Sequence, residues 1–474
     1  MRNMNKRTKI IATLGPSSSS KEVITELIKN GCNVFRLNFS HGTHESHKAL
    51  IVLIREISRA LGANIGILGD LCGPKIRVGK FPGGQVELKK GNKFTISENP
   101  DLPGDNTTVG STYPHLVKDL KKGDVVLLDD GNISLRAIEK NTDSVDFEIL
   151  QGGVLKDKKG MNMPGINLSI ETITVKDKKD LEFIIKEDLD FVALSFVRKA
   201  EDIKTLKSLI GKASPRIIAK IEKPEAIADL ENILSVTGGI MIARGDLGVE
   251  VPIEQVPTIQ KSILNRCSRR GIVAITATQM LESMIQNSRP TRAETTDVFN
   301  AILDGSDAVM LSGETASGEN PVEAVKVMSA IACEAEKMLL EKPAYGDMMP
   351  EVKHEIEDII AHSACEAAVD AKAKAIVTFT HSGNTARNIS KYHPPVSIIA
   401  MTPVESTCRR LALSWGVESI LVPDLRNTDA MIGYAETVLK GGKFFSSGDI
   451  IMIVAGVPLG VKGNTNMIKL HKVY

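Results

Sequence analysis

Aromatic side chains are scarce in this 474-residue sequence: Phe, Trp and Tyr make up 4%, with a single Trp. Proteins that bind single-stranded nucleic acid interleave basic residues with aromatic stacking platforms. No tract here does so, and that class is excluded. Net charge is nearly absent as well, since Lys and Arg exceed Asp and Glu by one. No global field draws in nucleic acid or an anionic membrane, so phosphate recognition must be local. The six cysteines (32, 72, 267, 333, 365 and 408) form no C-x-x-C pair. Neither a zinc site nor a disulfide scaffold is indicated, and a reducing, cytoplasmic compartment is expected. The basic N-terminal stretch MRNMNKRTKIIATLGP has an apolar run too short for a secretion signal. No run approaches the roughly 18 apolar residues of a membrane span.

What is present is an ordinary soluble composition, 42% hydrophobic and 25% charged, in a chain too long for one core. Short β-branched runs recur: KIIAT (9–13), NVFRLN (33–38), NIGILGD (64–70), DFVALSF (190–196), RIIAKIE (216–222), GIMIARGD (239–246), GIVAITAT (271–278) and DAVMLSGE (307–314). Amphipathic helical stretches separate most of them. Eight such strands predict a parallel α/β domain closed into a (β/α)8 TIM barrel. The long gap after the third run holds alternating segments with turn signals such as Asp130-Gly131. It reads as a small β-barrel unit inserted over 71–167, opening at Gly73-Pro74. The barrel then comprises 1–70 and 168–343. From 344 to 474 the runs AIVTFT, VSIIAMT, VESILVP and DIIMIVAG predict a second, open α/β domain.

In a barrel, polar residues at the carboxyl ends of strands carry function. Those ends hold Arg36, Asn38, Asp70, Lys220, Glu222, Asp246, Thr278 and Glu314. Glu222 and Asp246 supply two hard oxygen ligands from neighbouring strands, which suits Mg²⁺. The alternative is two carboxylates bound by Lys220 and Arg244. Lys220 and Glu222 are two residues apart, so on a strand they share a face. A cation and a metal ligand then point into one mouth, as neutralising a phosphoryl group in flight requires. ARGDLGVE reads as a strand end entering a helix, leaving the N–H groups of Gly245 and Asp246 for a small anion. Thr278 offers a hydroxyl for hydrogen bonding or proton relay. Arg36, Asn38 and Ser40 alternate and share one face, a place for a phosphate and a monovalent cation. His41 is either a nucleotide contact or a loop histidine bonded to backbone.

RLNFSHG, GPKIRVG, AKIEKPEA, MIARGDLGVE, ATQMLESM with SRPTRAE, and DAVMLSGETA occur in this order with barrel spacing. Together they resemble the pyruvate kinase family over essentially the whole chain. The resemblance implies transfer of phosphoryl from phosphoenolpyruvate to ADP, giving ATP and pyruvate. It implies that Arg36 and Lys220 contact the transferring phosphoryl and that Glu222 and Asp246 hold Mg²⁺ or Mn²⁺. Gly245, Asp246 and Thr278 position phosphoenolpyruvate, with enolate protonation from the Thr278 side. Asn38, Ser40, His41, Arg77 and Lys176 match nucleotide-side positions. The inserted unit becomes a lid and the C-terminal domain a regulatory one, in a homotetramer. TFTHSGNTA, with Thr380, Ser382, Gly383 and Thr385, is similar to the family's loop for a phosphorylated effector; plain helix capping is the alternative. GVPLGVKGNTN (456–466) lacks the Trp and Arg associated with fructose bisphosphate, so AMP or a sugar monophosphate is equally open.

DLCGPKIRVG departs from the family in one respect. Many members hold a required K⁺ with Asn, Ser and Asp side chains and a backbone carbonyl. Here Asn38, Ser40 and Asp70 remain, and Leu71 replaces a Thr. Lys75 replaces a Glu and reverses the local charge. An ammonium is a compact point charge, so Lys75 is expected to stand in for the cation and make K⁺ dispensable. Two rivals stand beside this reading. A Mg²⁺-dependent lyase acting on pyruvate enolates would need neither the lid nor Lys220, and a catalytically dead sensor would not need the charged set.

Overall fold

The computed structural model describes residues 6–212, 215–341, 350–425, 427–441, 445–457 and 464–474. Most of GVPLGVKGNTN, residues 458–463, and the expected boundary at 343/344 lie outside them.

The eight runs form one closed parallel barrel: Lys9–Thr13, Val34–Asn38, Gly66–Asp70, Phe191–Leu194, Arg216–Ile221, Gly239–Ala243, Val273–Ala277 and Ala308–Leu311. Ala308 pairs with Lys9 and closes the ring. Alternation along each strand decides which side chains enter it. In Arg216–Ile221, Ile217, Ala219 and Ile221 pack outward against the helices, while Ile218 joins the interior layer with Val34, Leu68, Ala193, Met241 and Ile275. Lys220 follows Ile218 on the inner face, as Arg36 follows Val34 and Asp70 follows Leu68. The apolar layer thus floors the barrel and the charged layer sits on it, toward the carboxyl ends.

Between the third and fourth barrel strands lies a separate apolar core under a six-stranded sheet and a two-stranded one. The entry is fixed at Gly73, whose φ of +67° and close approach to the Phe196 ring (2.8 Å from an added Cβ) both demand glycine. Gly73 N–H donates to Asp177 Oδ1, which belongs to the capping turn of helix Val175–Lys186. The exit is held by Arg198, which donates to the carbonyls of Leu168 and Ile170. Asn162 reaches the barrel, where its amide donates to Glu250.

The C-terminal sheet runs Val417–Leu421, Ser397–Thr402, Ala375–Phe379, Ile450–Gly456, Thr465–Lys472. The first four are the expected parallel strands. The fifth is antiparallel, an edge strand that the charged stretch TNMIKLHK did not announce. Ala412 and Leu413 join the apolar layer at the amino-terminal end of the barrel, and Arg409 ion-pairs with Asp190 at 2.8 Å.

Candidate active site

Lys220 is the centre of the charged layer. Its ammonium lies 2.9 Å from Glu222 Oε1 and 3.4 Å from Asp70 Oδ1, and donates to Ser195 Oγ at 2.7 Å. Asp70 also receives Arg36 Nε at 2.7 Å, and Arg36 donates to Thr13 Oγ1. Burial alone would raise the Asp70 carboxyl, but Lys220 and Arg36 outweigh it and hold that carboxyl below its usual range. Burial would likewise strip Lys220 of its proton, but the facing carboxylates keep it charged and push it upward. Glu222 goes the other way. Burial and the charge of Asp246 raise its carboxyl against the pull of Lys220.

Glu222 Oε2 accepts the N–H of Phe196 at 2.8 Å. Its buried Oε1 accepts no aligned hydrogen bond, although the Lys220 ammonium is near. An orphaned carboxylate oxygen repelled by a second carboxylate is the donor set a hard divalent cation fits. Among the described residues no third acidic or imidazole group joins them, consistent with an ion that takes its other ligands from water and substrate.

Helix Arg244–Glu250 starts directly from its strand and carries Asp246 in its first turn. Its Gly245 N–H is not free as expected, because it donates to Thr278 Oγ1 at 2.8 Å. The reason is the backbone of Thr278, whose φ of +66° turns the hydroxyl toward the helix start. A β-branched residue in that region is strained, and such strain persists where the surroundings impose it. Arg244 imposes it here, donating to Thr278 O while it ion-pairs with Asp297. Glu314 is structural: its oxygens accept the N–H groups of Leu281 and Ser312.

The loop after Asn38 makes the other wall. Asn38 Oδ1 accepts Ser40 N–H, and Lys176 donates to Phe39 O while pairing with Asp180 at 2.6 Å. His41 is exposed and its carbonyl accepts from His47 Nε2. Arg77 bonds to Lys158 O within the inserted unit. Lys75 is not drawn to Asp70, because Arg36, Lys220 and Ser195 already surround that carboxylate. The Leu71 carbonyl is likewise taken by Ser195 Oγ at 2.8 Å. Lys75 is exposed instead and lines a small cleft between the inserted unit and the barrel together with Phe196, Lys223 and Asp246.

The family model "Pyruvate kinase, barrel domain" matches residues 5–325, and "Pyruvate kinase, alpha/beta domain" matches 358–471. The chain belongs to the pyruvate kinase family. Pyruvate kinase of Staphylococcus epidermidis is 46% identical over 99% of this chain and 80% of its own length. That of Clostridium perfringens is 44% identical over 98% of this chain and all of its own. The crystal structure of a Cryptosporidium parvum pyruvate kinase superposes with a TM-score of 0.92 at 38% identity, covering 99% and 97% of the two chains. Membership makes the chain a phosphotransferase of glycolysis acting on phosphoenolpyruvate and ADP. Neither the lyase nor the dead-sensor reading is supported by these relatives.

Sequence reasoning missed Ser195, whose hydroxyl accepts from Lys220, and the Lys223–Glu250–Asn162 network that ties the inserted unit to the barrel. Lys223 Nζ lies 2.6 Å from Glu250 Oε1. The signal for Ser195 was present, since Phe191, Ala193 and Ser195 alternate onto the inner face. In the C-terminal domain, the Thr380–Thr385 loop is more self-contained than a phosphate nest requires. Gly383 N–H donates to Thr380 Oγ1, Asn384 N–H to Ser382 Oγ, and Thr385 Oγ1 pairs with Thr465 Oγ1. Nor does a loop hydroxyl cap the helix that follows: its N-cap is Gly383, which has no side-chain cap bond, and the helix, Asn384–Ser390, is short.

Proposed function

We propose that phosphoryl transfer is carried by Lys220 and Arg36 acting on the migrating group, with Glu222 and Asp246 as the seat of Mg²⁺ or Mn²⁺. The observation that carries it is the Lys220 ammonium lodged between Glu222, Asp70 and Ser195, beside an orphaned Glu222 oxygen. Such a lysine is fixed before substrate arrives, so it stabilises developing charge without reorganisation. The divalent ion, when bound, draws charge from the phosphoryl and carboxylate oxygens of the substrate. Arg36 is aimed by Asp70 and Thr13 and binds the same group from the opposite wall. The Gly245 and Asp246 backbone receives the substrate carboxylate once Thr278 Oγ1 releases the Gly245 N–H. Thr278 holds the proton destined for the enolate, directly or through water. Asn38, Ser40, His41, Arg77 and Lys176 form the nucleotide side, under a lid (71–167) that excludes water and disfavours hydrolysis.

Lys75 supplies the monovalent charge that many members take from K⁺. Its support is position: an ammonium with no carboxylate partner among the described residues, lining the same cleft as Asp246. Thr380, Ser382, Gly383 and Thr385 hold the phosphate of an effector after their hydrogen bonds within the loop and to Thr465 open. Barrel (1–70, 168–343) and C-terminal domain (344–474) assemble as a homotetramer. Six cysteines, none in a disulfide, support a reducing cytoplasm; among the described residues no helix is long and apolar enough to cross a membrane.

The test is pyruvate formation with Mg²⁺ in K⁺-free buffer, then in added K⁺. Comparable rates are expected in both, and Lys75→Glu is expected to become K⁺-dependent. An absolute K⁺ requirement of the unaltered chain, or K⁺-indifferent Lys75→Glu, refutes the role of Lys75.

A further inference from the structure

Ring side chains from three segments meet under the loop that follows Asn38. The buried Phe39 ring of that loop lies 4.6 Å from His47 and 5.9 Å from Phe183, centroid to centroid, and His44 stacks on Phe183 at 4.5 Å. His44 and His47 come from the first turn of helix His44–Ala60, and Phe183 from helix Val175–Lys186. Each helix also holds one carbonyl of the loop. Lys176 donates to Phe39 O at 2.6 Å, and His47 Nε2 donates to His41 O at 2.9 Å. The loop is therefore tethered by His47 and by its own ring, whatever becomes of Lys176.

Asp180 lies behind Lys176 and joins the two helices. Its buried carboxylate accepts from Lys176 Nζ at 2.6 Å through Oδ2 and meets His44 Nε2 at 2.8 Å through Oδ1. Lys176 and Asp180 stand at i and i+4, neighbours on one helix face. The Asp180 side chain is 4% exposed and that of Lys176 is 55% exposed, so the carboxylate faces inward and the ammonium outward. An ammonium has three N–H donors. Two are spent on Asp180 and Phe39 O, which fixes the direction of the third. Among the described residues Lys176 makes no other hydrogen bond.

We infer that Asp180, braced by His44, is a positioning residue for the nucleotide: it fixes the Lys176 ammonium so that the remaining N–H meets the phosphates of a nucleoside diphosphate. The inference rests on the reading of Lys176 as a nucleotide-side residue and adds to it the two residues that aim it. A lysine already held at two donors loses little further side-chain freedom when a phosphate arrives, whereas a free lysine loses several rotatable bonds. Asp180 is buried behind the ammonium and does not itself meet the nucleotide. Its effect therefore falls on affinity and not on the phosphoryl step.

The test is steady-state kinetics of the full chain with Mg²⁺, with ADP varied at saturating phosphoenolpyruvate, then the reverse, and both repeated with GDP. Asp180→Ala is expected to raise KM for ADP about 5- to 20-fold, with kcat and KM for phosphoenolpyruvate changed less than about threefold. GDP should lose the same factor, since phosphates and not the base are met. Asp180→Asn keeps an acceptor oxygen for the ammonium and should recover most of the loss. Removing a buried carboxylate also lowers Tm, so His44→Phe gives a second reading. It keeps a ring on Phe183, removes the bond to Asp180, and should raise KM for ADP about two- to fourfold. Lys176→Ala sets the upper limit. If it leaves KM for ADP unchanged, the nucleotide-side reading of Lys176 falls and the inference falls with it. If Lys176→Ala raises that KM while Asp180→Ala and His44→Phe do not, the positioning role is refuted and the nucleotide-side reading stands. A fall in kcat with both KM values raised alike, or a loss confined to one base, also refutes positioning.

Discussion

Ser195→Ala isolates what holds the central lysine in place. In the parent, Ser195 Oγ accepts from Lys220 at 2.7 Å and donates to Leu71 O at 2.8 Å. The alanine leaves Lys220 its two ionic neighbours but no neutral acceptor, so the ammonium is free to collapse onto Glu222. A hydrogen bond to a charged group contributes roughly 1.5–3 kcal/mol. If it acts by positioning Lys220 for the transition state, kcat falls roughly 10- to 150-fold. Substrate is still met by Arg36 and the metal carboxylates, so KM for phosphoenolpyruvate should change less than about threefold. The loss at Leu71 is neutral and costs about 1 kcal/mol, a fall of roughly 2–4 °C in the melting of a domain this size. Steady-state kinetics coupled to lactate dehydrogenase, with thermal unfolding alongside, separate the two effects. An unchanged kcat refutes the positioning role. A rise in KM without loss of kcat also refutes it, because uniform binding rather than transition-state geometry would then have been lost.

Thr278→Ser keeps the hydroxyl and relieves the β-branch at φ +66°; activity should stay within about threefold. Thr278→Val keeps the strain and loses the hydroxyl, and should fall by about 10² or more in kcat. Equal activity of the two variants removes Thr278 from proton transfer. Asp70→Asn leaves Arg36 and Lys220 facing a neutral amide, and breaking a buried pair in this way costs about 3–5 kcal/mol at pH 7. The Asp70 carboxyl is held below its usual range. Its contribution is therefore complete above the unfolded value near pH 4 and is lost as pH falls through the folded value. Denaturant unfolding should show the gap between parent and Asp70→Asn widest at neutral pH and narrowing in acid; a gap that widens in acid contradicts the assignment.

The barrel and its charged layer were legible because two periodicities coincide. A β-branched run announces a strand, and the alternation within it assigns each side chain to a face. VFRLN therefore gives Arg36 and Asn38 to the interior before any neighbour is known, and RIIAKIE gives Lys220 and Glu222. The same rule reaches Ser195 in DFVALSF, where a hydroxyl at an inner position carries less information than a charge because serine ends many strands without function. Partner choice was not legible. Lys75 follows Asp70 by five residues, and chain reach allows them to meet. Yet Arg36 from one neighbouring strand and Lys220 from two strands away reach the carboxylate first. Pairing in a barrel is decided around the ring, not along the chain. The unannounced antiparallel edge and the surroundings of Arg216 have the same cause. Arg216 reads as an ordinary polar start to a strand, and only the docking of residues 409–413 beneath the barrel gives it other cations for neighbours. A lone arginine in sequence is a solvated charge by default.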